Sequence, residues 1–160
     1  MRTRIIGLGN TILKDDGVGI YAARELRRHL GRINAGPLPD FVESEVAGFA
    51  LMELMAGWER IILLDSIQFD GLAPGAVVRL EPTDLRVSLR LRSVHEIDLP
   101  TALQLGRHLG LQMPQRVVIF GIQAQDACSF GESLSSSVAS GMNDAVDRVI
   151  EELNSPRPSP

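Results

Sequence analysis

One cysteine, one tryptophan and one tyrosine in 160 residues are the first features of this chain, and each scarcity excludes something. A lone Cys128 can form neither an internal disulfide nor a multi-cysteine zinc or iron–sulfur site, and it suits a reducing cytoplasm, the expected location. With aromatics at 4% there is little to stack on unpaired bases, so the core must be aliphatic. Long apolar runs are also missing. After Arg2 and Arg4 the first hydrophobic stretch is broken by Gly7 and Gly9, too short for a signal peptide or a membrane anchor, and no membrane partner is expected. Positive charge is not in excess. Sixteen basic residues against 20 acidic ones, a net charge of −4, give no counterion-release drive toward a phosphate polymer, which excludes nucleic acid as an expected partner.

What is present has the proportions of one globular domain, with 44% hydrophobic and 22% charged residues. Residues 1–154 are expected to form it, and 155–160 (Ser-Pro-Arg-Pro-Ser-Pro) a disordered tail. Short aliphatic runs alternate with longer amphipathic ones, the punctuation of βαβ units. The pattern predicts strands over 5–8, 41–46, 60–64, 76–80 and 116–122. It predicts helices over 17–30, 49–55, from a cap at Asp98 to about His108, and over 133–153. Ser66 to Gly75 holds two turn dipeptides, Asp70-Gly71 and Pro74-Gly75, and is too short for a crossover helix, so the fourth strand should run antiparallel. The expected fold class is α/β: a single three-layer α/β/α domain with a five-stranded, mostly parallel twisted sheet and one antiparallel strand.

In such sheets the site lies beyond the carboxyl ends of the strands. The first loop there runs Gly7-Leu8-Gly9-Asn10-Thr11-Ile12-Leu13-Lys14-Asp15-Asp16-Gly17-Val18-Gly19. A dinucleotide fingerprint would need a third glycine where Ile12 stands, and Asp15 and Asp16 would repel phosphate. Negative charge at a helix start also has a structural explanation in the helix dipole, and Asp15 alone fits it. Asp16 weighs differently beside Asp65, which closes the apolar run Ile61-Ile62-Leu63-Leu64 where the sheet opens. Together these two indicate a cation site.

For a transition metal an imidazole would usually join them, and the chain has three histidines. His29 and His108 sit at helix ends, where they complement the dipole. His95, in Ser93-Val94-His95-Glu96, precedes the cap at Asp98 and is free to return to the strand ends. The same stretch fails as a zinc-peptidase helix, because Leu99 stands where a second histidine is needed. There is no nucleophile elbow, Cys128 lacks any local signature of a thiol peptidase, and Ser135, Ser136 and Ser137 read as a polar helix start. If the chain cuts bonds, the usual nucleophiles are absent. A further alternating stretch, Leu85-Arg86-Val87-Ser88-Leu89-Arg90-Leu91-Arg92, puts three arginines on one face. It reads either as a solvated edge or as a docking strip for a large partner.

Gly7-Leu8-Gly9-Asn10, then Asp15-Asp16-Gly17-Val18-Gly19, Leu63-Leu64-Asp65-Ser66, Ser93-Val94-His95-Glu96 and Gly121-Ile122-Gln123, taken in order, resemble the nickel-iron hydrogenase maturation endopeptidases. The resemblance spans about residues 2 to 153. It implies a five-stranded mixed sheet wrapped by helices on both faces. It also implies an endopeptidase that removes a C-terminal extension from the hydrogenase large-subunit precursor, its partner, after nickel insertion. The family's metal ligands match Asp16, Asp65 and His95, and the nickel is carried in by the precursor, so the isolated site would be empty or hold another divalent metal. Asp16 or Asp15 is also a candidate general base, with nickel then only orienting the peptide. Asn10, Asp15, Glu43 and Gln123 are then expected to face the substrate. After the second strand the chain departs from the family, reading Glu43-Ser44-Glu45-Val46-Ala47-Gly48 where many members have an acidic residue, a glycine pair and threonine. The alternative from another class is a nucleotide- or small-molecule-binding module without proteolytic activity, using Gly7-Leu8-Gly9-Asn10. Peptidyl-tRNA hydrolases open with a similar turn, but their downstream histidine pattern is not found.

Overall fold

Ile5 and Ile6 are both inaccessible to solvent yet face opposite ways. Ile5 packs among Val18, Leu26 and Val149, and Ile6 among Leu51, Met55 and Leu103. The same split recurs at Ile61 and Ile62 and at Val117 and Val118, as the two-residue period of a strand requires. A sheet apolar on both faces has to be covered on both, and this one is. The computed structural model describes residues 1–33, 37–46, 49–84 and 99–155.

The strands are β1 (Thr3–Leu8), β2 (Asp40–Ser44), β3 (Arg60–Ile67), β4 (Val77–Leu80) and β5 (Arg116–Gln123). Their order is β2-β1-β3-β5-β4. All neighbours are parallel except β4, which pairs antiparallel with β5, as the short connection requires. Helices α1 (Val18–Ile33) and α4 (Ser136–Asn154) cover one face, and α2 (Phe49–Met55) and α3 (Leu99–His108) the other. The fold is therefore the expected α/β/α sandwich with one antiparallel strand.

The boundaries differ from expectation at three places that matter for the site. A 3₁₀ turn, Lys14–Gly17, takes in Gly17, so α1 starts one residue later than expected and the paired aspartates lie on a tight turn just before it. β3 runs on to Ile67, because Asp65 and Ser66 keep register with Gly121 and Ile122 of β5 despite their polarity. Helix α4 begins at Ser136, not Ser133, since Ser135 is held extended with its N–H and hydroxyl bonded to Asp15. His95, the cap at Asp98, the strip Leu85–Arg92, Ala47-Gly48 and residues 156–160 of the expected tail lie outside the described residues.

Candidate functional site at the carboxyl end of the sheet

Glycine sets how closely the first loop approaches the strands. Gly9 has φ +134°, and a Cβ there would lie 1.9 Å from the carbonyl oxygen of Asp16. A Cβ on Gly19 would lie 2.2 Å from the carbonyl oxygen of Leu64 and 2.4 Å from that of Leu8. Only glycine at both positions lets the turn drop onto the ends of β1 and β3. A Cβ on Gly7 would lie 2.6 Å from the carbonyl oxygen of Gly19, so the space that a phosphate-binding reading assigns to Gly7 and Gly9 is filled by the chain's own backbone.

That approach brings Asp16 to Asp65. The Asn10 N–H donates to Asp16 Oδ2 at 2.9 Å, and the Ser66 hydroxyl reaches Asp16 Oδ1 at 3.4 Å. The Ser66 N–H donates to Asp65 Oδ1 at 2.8 Å. Ser66 therefore touches both carboxylates, a role its sequence gives only by adjacency to Asp65. Among the described residues, no lysine or arginine forms an ion pair with either aspartate, and Lys14 is engaged with Asp126 at 3.3 Å. Desolvation pushes the Asp65 carboxyl up to about 7. The Ser66 N–H works against this and the negative charge of Asp16 adds to it. Two carboxylates gathered without a counter-charge form a site that a cation would stabilise. Among the described residues, no group of three metal-ligating side chains is assembled; the expected third ligand, His95, falls outside them.

The other expected site residues have clear positions. Asn10 supplies its N–H to Asp16, while its Oδ1 accepts the Ile12 N–H at 3.0 Å. Asp15 is fully buried and accepts from the N–H groups of Gln125, Asp126 and Ser135 and from the Ser135 hydroxyl. Burial raises its pKa, but these four hydrogen bonds outweigh that and hold the carboxyl below its ordinary range. Asp15 thus clamps the β5–α4 loop to the turn that carries Asp16. Gln123 is also buried, and its side-chain amide clasps the Phe69 backbone, accepting from its N–H at 2.9 Å and donating to its carbonyl at 3.0 Å. Glu43, exposed near the end of β2, is paired through both oxygens with Arg24 of α1 at 2.9 and 2.7 Å. The structure brings Asn10, Asp16 and Asp65 together. It commits the Asp15 side chain to three backbone N–H groups and the Ser135 hydroxyl, and that of Gln123 to the Phe69 backbone.

The structure is a mostly parallel α/β domain whose sheet mouth carries two carboxylates with no cationic partner among the described residues. Comparison with known proteins gives this class its family. The HycI hydrogenase maturation protease family matches residues 25–152. Hydrogenase 2 maturation protease of Escherichia coli is 28% identical over 156 residues, 94% of this chain and 85% of that protein. HupD of Thiocapsa roseopersicina, a hydrogenase expression/formation protein, is 24% identical over 151 residues; the match covers 93% of this chain but 66% of that longer one. The solved structure of the NiFe hydrogenase maturation protease HybD from Thermococcus kodakarensis superposes with a TM-score of 0.71 at 30% identity, over 97% of this chain and 100% of the other. The chain belongs to the hydrogenase maturation protease family. None of its described helices is long and apolar enough to cross a membrane.

Proposed function

We propose that this protein removes the C-terminal extension of a nickel-iron hydrogenase large-subunit precursor once nickel has been inserted, and that it recognises the inserted metal. Asp16, Asp65 and His95 serve as ligands to that nickel, which arrives as part of the substrate and leaves with the product. The observation that carries the reading is the uncompensated Asp16–Asp65 pair at the sheet mouth of a chain from a protease family. Carboxylate and imidazole ligands form a mixed set that leaves coordination positions for the precursor's own ligands. A precursor without metal would bring no charge to offset the repulsion between the two aspartates.

The cut is a hydrolysis. Water oxygen bonds to the scissile carbonyl carbon, the C–N bond breaks, and the departing amine takes up a proton. Asp16, Asp65 and His95 would hold the precursor's nickel, which would supply Lewis acidity to the scissile carbonyl or to an attacking water. Asp16 positions the metal or accepts the proton. Asp15, whose oxygens already accept four hydrogen bonds, is a poor base. The exposed free thiol of Cys128 is consistent with action in the cytoplasm. The backbone that fills the space beside Gly7 and Gly9 counts against a nucleotide-binding module.

The test is to mix the protein with precursor carrying or lacking nickel and to follow the mass of the large subunit. The expected outcome is shortening of the nickel-loaded precursor alone. Equal shortening of both forms would refute metal recognition, and shortening of neither would refute the peptidase reading.

A further inference from the structure

Phe130 is 82% exposed, and Ile12 is 49% exposed. The two sit on paired backbone beside the acidic mouth. The Gly131 N–H donates to the Ile12 carbonyl at 2.9 Å, the Lys14 N–H donates to the Gly131 carbonyl at 2.8 Å, and Leu13 and Gly131 form a parallel bridge. Both partner segments are restrained. Asp126 Oδ1 accepts the N–H groups of Cys128 and Ser129, its other oxygen binds Lys14, and Asp15 fastens Gln125, Asp126 and Ser135 on either side. Lys14 is held at φ +39°, a conformation non-glycine residues rarely adopt.

A tied-down backbone that presents a large aromatic to water gains nothing from that side chain in folding, since its apolar surface stays wet. The same restraint is useful to a binding surface, because an anchor that is already ordered loses little entropy when a partner covers it. We propose that Phe130 and Ile12 form a docking ridge for an apolar stretch of the precursor polypeptide next to its metal, an inference that rests on the peptidase reading above. Continuity fixes the occupant. The ridge is built on the two loops that shape the mouth, one leading directly into Asp16 and the other clamped by Asp15. A chain that delivers a cation to Asp16 and Asp65 brings its adjoining residues close to the loops that carry this rim.

The test compares wild type with the Ile12→Ser/Phe130→Ser double variant and with Phe130→Leu. Binding to purified nickel-loaded precursor is measured by titration calorimetry, processing by mass, and folding by Tm. The expected result is precursor affinity weakened about tenfold or more in the double variant, with the loss appearing in KM, partial recovery in Phe130→Leu, and a Tm that does not fall. Equal affinity of wild type and double variant would overturn the ridge and leave the peptidase reading standing. So would a Tm lowered by several degrees, which assigns the side chains to the fold, or a wild-type dimer that the variant converts to monomer with processing intact, which assigns them to a second copy. Wild type that neither binds nor cuts the loaded precursor overturns both.

Discussion

Glu152, at the amino-terminal end of β3 and β5, is buried and surrounded by arginines, whereas Asp16 and Asp65, at the carboxyl end of the same sheet, have no cationic partner among the described residues. Arg79 donates to Glu152 Oε2 at 3.0 Å, Arg116 bonds Oε1, and Arg60 donates to the Glu152 carbonyl at 2.7 Å. The base of the sheet thus offsets its buried carboxylate within the chain, and the mouth leaves two partly buried carboxylates to repel each other. The contrast separates charge compensated within the fold from charge left without a counter-charge among the described residues.

The largest expected effect falls at the mouth. Asp16→Asn should lower processing of nickel-loaded precursor by on the order of 100-fold or more, since even partners of metal ligands cost 10–100-fold. Its thermal midpoint should stay the same or rise, because repulsion with Asp65 is relieved; undiminished processing, followed by mass, would break the comparison. Glu152→Ala should do the opposite. Leaving three arginines facing one another should cost about 3 kcal/mol of stability, read from the urea midpoint, with processing per folded molecule unchanged. A variant as stable as wild type would show that the arginines are screened by solvent and that the base is not the stabilised end.

Asp15 belongs by position to the mouth and by behaviour to the base, so it sharpens the comparison. Asp15→Ala, which strands three N–H groups and a hydroxyl, should cost about 2 kcal/mol, measured the same way. The folded carboxyl lies below its unfolded value of 3.8, so its contribution is complete above that pH and is lost as pH falls through the lower folded value. Between neutral pH and acid, the stability difference between wild type and Asp15→Asn should therefore shrink in urea titrations. A difference that grows toward acid would contradict the clamp.

The sequence carries most of the sheet openly. β1, β3 and β5 read as strands because central positions need apolar side chains on both faces, and β4 reads as antiparallel because no helix fits before it. The Asp16–Asp65 pairing was legible from where the two residues stand relative to strand ends. The true end of β3 was not, because Asp65 and Ser66 look like a strand's finish while their backbone continues the ladder with β5. The work of Asp15 and Gln123 was equally hidden, since their partners lie 110–120 and 54 residues away and leave no local trace. Glu152 gave no signal either: in an amphipathic helix a buried glutamate looks like its exposed neighbours until the arginines of three strands are placed around it. His95 is placed by its resemblance and lies outside the described residues.

The clamp also imposes an order on assembly. Asp15 meets Ser135 across 120 residues of chain, and Gln123 meets Phe69 across 54. The Asp15–Ser135 contact closes a longer stretch of chain than the parallel pairings Thr3–Arg60 and Arg60–Arg116. During synthesis the early strands can therefore pair while the opening above them is still unshaped. The acidic pair acquires its final setting only when the start of α4 has emerged, so a chain cut short before Ser135 would lack both a finished entrance and a helix that covers one face of the sheet.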